Sequence, residues 1–473
     1  MKTGIVNSTT FHSDSYRIDP DLHLGEGVQI RRELHATPYE LSTVGENASR
    51  VFYGNIFSRV FVKKPDHGVP YLAASDTVLS NLNTGRFLSK KQATALDYLK
   101  LKKDWILVTC SGTLGNVTYT NKVFEKYIAT HDLIRVVPND AKVNKGTLHA
   151  FLSSRYGYYQ ITQSQFGGVV KHVNDEQMRQ VMVPVFPTIF QQEVNDLIQQ
   201  SAKLREEAAT ILMQIQKELK EFAKLPELTT EDYDFYGVST KGRKPSVFIR
   251  NKRDITSTTI NAFNHSIRIR NLKAKISKPY VALRDTLVNG DFFTTGSFSR
   301  QEAPKGKGVM LINQSDIFDF NIKGKSIYKK CLKNVKLVDY GEVLVAGVGT
   351  LGENETFCRC VFANESLQGQ LVSGEFLRMK TIDTIPSGYL FAWLSSDYGF
   401  RLIRSTQSGT KQCRPIQKLL LEIPVPLLTK EAMLSIDEKV RAAHTLQYQA
   451  TINENKAITM VEEEIEKWQS PTA

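Results

Sequence analysis

The sequence predicts an α+β fold made by tandem duplication, in which two mixed α/β domains are separated by two long helices. Three observations predict it. Sequence blocks recur about 240 residues apart in one order, short apolar runs broken by glycine occur in both copies, and each copy ends in a long stretch with helical spacing. The chain has 473 residues, of which 41% are hydrophobic and 23% charged, as in ordinary folded proteins of two to four domains.

The duplication is read from four matching blocks. Residues 107–115 (LVTCSGTLG) match 344–352 (LVAGVGTLG) at an offset of 237, and 148–161 match 390–403 at an offset of 242. Gly68 with residues 75–76 matches Gly308 with 315–316, and 183–185 match 423–425, both at an offset of 240. Because order and spacing are kept, the predicted unit is about 240 residues long.

Each copy has the same predicted elements in order. Strand-like runs at 104–109 and 341–346 precede a short helix at 147–161 and 388–403. A polar loop, an apolar strand punctuated by proline and a long helix follow. The predicted boundaries are a domain at 1–187, a helix at 188–224, a basic linker with the second domain at 225–427, a helix at 428–469 and a tail at 470–473.

The long helices are the clearest structural signal. No glycine or proline occurs between Pro187 and Phe222, and apolar residues recur there at steps of three and four. About 35 residues at ~1.5 Å each make a helix of roughly 50 Å, longer than capping a domain requires, so we predict that the two helices pair. The residues predicted to line this pairing and to contact partners are Leu204, Ile211, Ile215, Leu219, Phe222, Ile458, Val461, Ile465 and Trp468.

Positive charge is concentrated in one segment. Lys and Arg outnumber Asp and Glu by 61 to 49, a net charge of +12. Residues 241–307 hold 15 basic and 4 acidic residues, so that the rest of the chain is almost balanced, at 46 against 45. A solvated surface would explain a charge run, but a surplus this local favours a polyanionic partner.

Catalytic and membrane signals are missing from the sequence. It has no phosphate-binding GxxxxGK[ST] loop, no GxGxxG after a strand, no HExxH and no Asn/Asp-Pro-Pro-aromatic motif. No run reaches the ~18 apolar residues of a membrane span, and the first residues lack the apolar region of a secretory signal. The five cysteines, including a lone Cys358-Arg-Cys360, predict ordinary thiols in a reducing cytoplasm without a metal.

Two kinds of segment are candidates for ligand contact. The glycine-rich segments 111–115 and 347–352 are either tight turns or loops whose amides and hydroxyls approach a phosphate. The loops 162–172 and 404–412 are either solvated turns or base-contacting loops, since glutamine can pair with adenine and lysine with guanine. The candidate DNA-binding residues are Ser111, Thr113, Gln163, Gln165, Lys171, His172, Thr350, Arg404, Gln407, Thr410, Lys411, Gln412, Lys305 and Lys307.

Nearly the whole chain resembles the specificity (S) subunit of a type I restriction–modification system. The resemblance is carried by the duplicated GTLG block, the YG helices LSSRYGYY and LSSDYGFR, the Ser-Gly-Thr-Lys-Gln loop at 408–412, and the VPVF and IPVP strands before each long helix. One departure is the first loop, which reads Gln165-Phe166-Gly167-Gly168 where such subunits often carry Thr/Ser-Gly-Thr.

The resemblance implies a non-catalytic reader of double-stranded DNA. Two target recognition domains would each bind one half of a bipartite target, and the helices, paired as an antiparallel coiled coil, would set the spacing. The implied partners are two methyltransferase subunits and restriction subunits, with no membrane involved. S-adenosylmethionine, ATP and Mg²⁺ would be held by those partners, and no cofactor by this chain.

Two other classes of function stay open at this point. One is a scaffold whose recognition-like domains bind protein without reading a DNA sequence, against which the basic segment argues. The other is a stand-alone DNA enzyme with a dispersed site, against which the missing motifs argue.

Overall fold

The computed structural model describes residues 23, 25–62, 65–163, 171–229, 232, 247–255, 258–304, 306–333 and 335–468. The described residues form two compact units. The first unit contains those of 23–82, 86–206 and 449–468, and the second unit contains 83–85 and those of 207–448. Each long helix therefore contributes one part to each unit.

The first copy of the repeat runs from a short helix to the first long helix. Its helices are α1 (Glu26–His35), α2 (Lys90–Ala95), α3 (Lys145–Ser153), α4 (Arg155–Gln163), α5 (Asp175–Arg179) and α6 (Thr188–Phe222). Its strands are β1 (Leu41–Thr43), β2 (Ala48–Phe52), β3 (Phe61–Val62), β4 (Gly68–Leu72), β5 (Phe87–Ser89), β6 (Ile106–Thr109), β7 (Val117–Tyr119), β8 (Ile128–Ala129), β9 (Leu133–Pro138) and β10 (Met182–Pro184).

The second copy ends in the second long helix. Its helices are α7 (Ile267–Ala274), α8 (Ser387–Ser395), α9 (Asp397–Ser405), α10 (Gln417–Leu420) and α11 (Lys430–Lys467). Its strands are β11 (Tyr280–Ala282), β12 (Val309–Ile312), β13 (Lys325–Ile327), β14 (Val343–Ala346), β15 (Cys360–Phe362), β16 (Leu371–Val372), β17 (Phe376–Met379), β18 (Gln407–Ser408), β19 (Arg414–Pro415) and β20 (Pro424–Pro426).

The two main sheets of each copy share three corresponding strands, and the first copy has one further strand in each sheet. In the first copy β6 lies between β7 and β9, with β2 beyond β9, and in the second β14 lies between β15 and β17. The central strands β6 and β14 are fully buried because both of their faces are covered. Leu107 and Leu344 pack into one core cluster of their copy, and Val108 and Val345 pack into another. A second sheet has the order β3-β5-β4-β8 in the first copy and β13-β12-β16 in the second. In both, one pair is parallel: β4 with β8, and β12 with β16. The mixed helix-and-sheet fold class is confirmed.

The proline-punctuated strand closes each copy. β10 pairs antiparallel with β1, and β20 pairs antiparallel with β11. A strand near the start of each copy is thus joined to the strand that leads into the long helix.

The short helix predicted in each copy is two helices. The first breaks at Ser154 and the second at Ser396, where each serine hydroxyl accepts a hydrogen bond from the amide of a following glycine, at 3.4 Å and 3.0 Å. A Cβ on Gly157 would lie 2.5 Å from the Cα of Leu152, and one on Gly399 would lie 2.1 Å from the carbonyl oxygen of Trp393. The glycine of the YG motif therefore allows a close crossing of two helices. The tyrosines beside them, Tyr156 and Tyr398, are fully buried.

The long helices α6 and α11 contribute to the core of each unit. In the first unit Val194 and Ile198 of α6 share a core with Val461 and Ile465 of α11. The two segments run antiparallel there: the rings of Phe186 and Trp468 lie 5.9 Å apart, and the hydroxyl of Ser201 donates to the carbonyl of Ala450 at 2.8 Å. In the second unit the apolar positions of α6 and α11 again share one core, with Ile215 and Leu219 opposite Ile436 and Val440. The coiled coil over the whole helix length stays a prediction.

The residues predicted to line the helix pairing differ in burial. Ile215, Leu219, Val461 and Ile465 are buried. Leu204, Ile211, Ile458 and Trp468 are half-buried. Phe222 is 46% exposed and therefore does not line the pairing within the chain, which corrects that part of the prediction, while its contact with a partner stays a prediction. On the helix face that points into the core, the next residue after Leu219 is Ala223, four positions later, which is buried. Phe222 is three positions after Leu219 and lies at the edge of that face.

Candidate nucleic-acid interface

The glycine-rich segment of the first unit is a closed turn at the end of β6. The Thr109 hydroxyl donates to the carbonyl of Thr113 at 2.6 Å and accepts from the amide of Asn116 at 3.0 Å. Gly115 has a φ of +79°, and a Cβ there would lie 2.9 Å from the Tyr158 ring of α4. Glycine is required because the backbone is left-handed and close to that ring. The turn leaves Thr113 exposed and Ser111 half-exposed.

A bridge brings this turn to the end of the polar loop. Ser111 and His172 form an antiparallel β-bridge, and the amide of Val173 donates to the carbonyl of Cys110 at 3.1 Å. Ser111, Lys171 and His172, which are far apart in the sequence, therefore lie together, with Lys171 and His172 half-exposed. Gln165 and the rest of 164–170 lie outside the described residues.

The second unit repeats this arrangement. Gly349 and Cys413 form the corresponding bridge, with N–H to carbonyl distances of 3.2 Å and 2.8 Å. The Gln314 carboxamide, at the end of β12, donates to the carbonyl of Val348 and accepts from its amide. These contacts hold the turn against the second sheet and leave Thr350 exposed.

The polar loop of the second unit is a β-hairpin. β18 and β19 pair antiparallel, and the tip residues Thr410, Lys411 and Gln412 are exposed. Gly409 has a φ of +103°, and a Cβ there would lie 2.7 Å from the carbonyl oxygen of Gln412. The buried Cys413 thiol donates to the Gly409 carbonyl at 3.6 Å. The tip is therefore anchored at its base and presents a hydroxyl, a cation and a carboxamide to solvent.

Three candidates are corrected because their side chains are buried. Gln163 is 6% exposed and packs on α1, where a Cβ on Gly27 would lie 2.2 Å from its Oε1. Gln407 is 5% exposed at the start of the hairpin. A side chain held inside the unit cannot pair with a base edge, so these residues support the loops instead of contacting DNA.

Arg404 is the third correction. It is fully buried, donates to the carbonyls of Glu355 and Phe357 at 3.3 Å and 3.0 Å, and lies 4.0 Å from the centre of the Phe400 ring. Burial lowers the pKa of its guanidinium to about 10. Its role is to hold the segment 355–357, which follows the glycine-rich turn.

The basic segment is described in part. Lys307 is exposed, and its amide donates to the Pro304 carbonyl at 3.0 Å in a turn before β12. Lys305, Lys241, Arg243 and Lys244 lie outside the described residues.

Two absences hold for the residues that the structure describes. They contain no group of three or more His, Cys, Asp or Glu side chains placed to hold a metal ion. Nor do they include a helix that is both long and apolar enough to cross a membrane. All five cysteines are free thiols.

Reasoning from sequence missed the bridges and the residues that support them. The available signal was the repeat itself: at the offset of 237 Ser111 matches Val348, the residue before Gly349, and His172 and Cys413 are 241 residues apart, close to the repeat length. Two segments that recur at a common offset are expected to meet in the same way in both copies. Gln314 had no such signal, because Ala74 stands at its counterpart position.

Comparison with known families identifies part of the chain. Residues 51–221 match the family model described as "Type I restriction modification DNA specificity domain". Residues 51–221 of the chain form a type I restriction–modification DNA specificity domain. The match confirms the resemblance drawn from the sequence, and the function of the specificity domain is DNA sequence recognition.

The chain is also similar to solved structures over most of its length. The S subunit of the type I restriction–modification system from M. genitalium is 12% identical with a TM-score of 0.33, covering 92% of this chain and 96% of that one. The HsdS subunit from Thermoanaerobacter tengcongensis is 12% identical with a TM-score of 0.27, covering 91% and 96%. A chain from a study of complex assembly and conformational transition of the type I R-M system is 13% identical with a TM-score of 0.28, covering 91% and 98%. No curated protein matches the sequence.

Proposed function

We propose that this chain is the non-catalytic specificity subunit of a type I restriction–modification complex and that each unit reads one half of a bipartite DNA target. One observation carries the proposal: the same bridge joins a glycine-rich turn to a polar segment in both units, at Ser111–His172 and at Gly349–Cys413. A purely structural turn needs only glycine. The exposed hydroxyls, cations and amides that occur at this place in both units therefore favour contact with a ligand.

The chemistry of the exposed residues supports base and phosphate contact. Thr113 and Thr350 present hydroxyls, and Lys171, Lys411 and Gln412 present groups that pair with guanine, phosphate or adenine. Such loops give sequence preference through base edges, while the basic surface supplies affinity that does not depend on sequence.

The remaining parts of the complex are proposed on the family resemblance. The chain docks two methyltransferase subunits, which hold S-adenosylmethionine, and restriction subunits, which use ATP and Mg²⁺. It binds no cofactor itself, works in the cytoplasm and has no membrane partner. Its own surface supplies recognition, and catalysis belongs to the partners.

Methylome sequencing tests the reading function. A strain with the chain and its methyltransferase subunits should carry methylated adenine at a bipartite target, and a strain lacking the chain should carry none at that target. The purified chain incubated with S-adenosylmethionine, or with Mg²⁺, should neither methylate nor cut DNA. Methyl transfer by the chain alone, or a continuous target, would overturn the proposal.

The long helices are proposed to set the gap between the half-sites. Domains facing the same side of the duplex favour half-site centres about one turn apart, ~10 base pairs, with an upper bound of about 15 base pairs from a helix of roughly 50 Å. Inserting four residues between Gln214 and Lys220 adds about 6 Å of helix, so the gap should lengthen by one or two base pairs while both half-sites stay the same. Altered half-sites with an unchanged gap would refute this model.

A further inference from the structure

A second repeated motif lies away from the bridged loops. Phe57-Ser58-Arg59 in the first unit matches Phe298-Ser299-Arg300 in the second at an offset of 241. Each motif leads into an edge contact of the second sheet: β3 pairs with β5, and Glu302 forms a bridge to Ile327 of β13. The motif therefore occupies the same place in both copies.

In the first unit this place is closed by its own side chains. The Arg59 guanidinium donates to the hydroxyls of Tyr71 at 2.6 Å and Thr130 at 3.0 Å, and it lies 3.4 Å from an Asp132 carboxylate oxygen. The Gln92 carboxamide donates to the carbonyl of Ser58 and accepts from the amide of Val60 at 2.8 Å.

In the second unit the same place is open. Cys331 stands where the first unit has Gln92, at an offset of 239. Its shorter side chain packs against the apolar cluster of Val309 and Ile327 and lies 3.7 Å from the Gln301 carboxamide oxygen. The result is an open groove of about 640 Å³, which is lined by Ser297, Phe298, Gln301, Lys330, Cys331 and Lys333 among others.

The groove carries uncompensated positive charge. Lys330 and Lys333, which line the groove, are exposed, as is Arg300, which is next to the lining residues in sequence. None of the three forms an ion pair with a carboxylate of the described residues. Lys330 lies over the Tyr328 ring, 5.1 Å from its centre. The sequence from 297 to 336 holds nine Lys and Arg against three Asp and Glu, a surplus of six positive charges. The counterpart arginine in the first unit, by contrast, is neutralised by Asp132.

We propose that this groove of the second unit binds a phosphate of the DNA backbone that flanks the second half-site. The proposal rests on the proposed function and adds a contact that the first unit lacks. Lysine, serine hydroxyl and carboxamide donors are the groups that hold phosphate oxygens in protein–DNA interfaces. A phosphate contact contributes affinity and register without sequence information.

The second sheet sets the distance from this groove to the base-contacting turn. β12 begins at Val309, which pairs with Ile327 beside the groove, and the chain reaches Gln314, which holds the turn through Val348. Because β12 ends at Ile312 and Gln314 lies in the following turn, five residues at up to ~3.3 Å each span at most about 17 Å, or about five base-pair steps of ~3.4 Å. The contacted phosphate is expected within about five base pairs of the bases that the turn approaches.

The test compares two variants of the full-length chain that lose the same charge. Lys330→Ala/Lys333→Ala empties the groove of lysines, while Lys90→Ala/Lys91→Ala removes two exposed lysines from the closed counterpart in the first unit. Binding to a duplex with the methylome-defined target is measured between 50 and 200 mM salt. Loss of one phosphate contact makes the slope of log affinity against log salt shallower by ~0.9, so the advantage of the unchanged chain falls about 3.5-fold across this range. The Lys90/Lys91 variant should keep the original slope.

A second measurement locates the contact on the DNA. Replacing single phosphates by neutral methylphosphonates should weaken binding of the unchanged chain at a position within about five base pairs of the second half-site. The same replacement should have no further effect on the Lys330/Lys333 variant. Sequence preference in both half-sites should be unaltered, because the contact is to backbone.

Several results would overturn the proposal. Equal slopes for the two double variants would mean that the lysines act only through overall charge. An unchanged slope together with weaker binding of partner subunits would make the groove a protein-docking surface. An unchanged chain without sequence-specific binding would refute the proposed function itself, a result distinct from the other two.

Discussion

The two units bury an arginine at the same position of the central sheet and satisfy it differently. Arg135 lies opposite Leu107, and Arg378 lies opposite the matching Leu344; both arginines are fully buried. Arg378 donates to both carboxylate oxygens of Glu342, at 2.8 Å and 3.0 Å. Where the second unit has Glu342 the first has Trp105, at an offset of 237.

Arg135 has carbonyl groups as its acceptors. It donates to the carbonyls of Leu133, Ala129 and Thr130 at 2.9–3.0 Å, and to that of Leu99 at 3.4 Å. Its Nε has no acceptor among the described residues, and burial lowers its pKa to about 10. Both units therefore use a long side chain with several hydrogen-bond donors at this position. The carboxylate that neutralises it is present only in the second unit.

The largest expected effect comes from removing each arginine. Arg378→Met removes both guanidinium hydrogen bonds to the buried Glu342 carboxylate, whose remaining cation, Lys380, lies 3.8 Å away. The change should cost about 4 kcal/mol of unfolding free energy. Arg135→Met leaves only carbonyl groups without donors, which should cost about 2 kcal/mol. Urea unfolding of both variants checks this order. Equal losses would show that the carboxylate is not what separates the two units.

The response to acid should also separate the units. Burial lowers the pKa of His444 in the second unit to about 4, although the Val440 carbonyl and Glu365 oppose the shift. A lowered histidine pKa stabilises the fold above pH ~6.5, and this contribution, about 3 kcal/mol, is lost as the pH falls toward 4.

The first unit should lose stability in a lower pH window. Burial disfavours the charged form of Glu454, but the Arg205 charge and a hydrogen bond from His149 outweigh it and hold the pKa at about 2. This contribution is present above pH ~4.5 and is lost as the pH falls toward 2. We therefore expect hydrogen exchange, compared between pH 7 and pH 5, to show that amides of α8 in the second unit lose protection at the lower pH while those of α3 in the first unit keep it. His444→Phe should remove the difference, and its persistence in that variant would contradict the assignment.

A smaller effect is expected at the two reading loops. Lys411→Ala/Gln412→Ala should weaken recognition of one half-site, and Lys171→Ala should weaken the other, each lost base contact costing ~1–3 kcal/mol. Competition binding with duplexes altered in one half-site measures this. A matched control is Gln163→Ala, which should leave base preference unchanged because the side chain is buried. Unchanged preference in all variants would mean that the loops are structural turns.

The smallest effect is expected at the glycines of the two loops. Gly409→Ala puts a Cβ against a backbone carbonyl in a left-handed conformation, while Gly115→Ala puts one against the Tyr158 ring, a side chain that can move. Both should cost about 1–2 kcal/mol through the left-handed backbone, with the larger loss of half-site binding for Gly409→Ala. Thermal unfolding together with half-site binding tests the order, and the reverse order would contradict it.

The sequence alone determined the duplication, the fold class and the place of the long helices. Repeated blocks and helical spacing are local signals, and they persist because both copies must bury the same faces. It also located the glycine-rich turns and the polar loop at 404–412, since glycines and clustered polar residues mark turns whatever they pack against.

Only the tertiary structure decided which of those residues face solvent and what they meet. Gln163, Arg404 and Gln407 are polar in sequence but buried in the fold, because hydrogen-bonding carbonyls and close backbone contacts surround them. The bridges Ser111–His172 and Gly349–Cys413 join residues about 60 positions apart. The groove beside Cys331 exists because one glutamine of the first unit has a shorter counterpart in the second. Such outcomes depend on side-chain reach and packing across distant segments, which periodicity and composition do not encode.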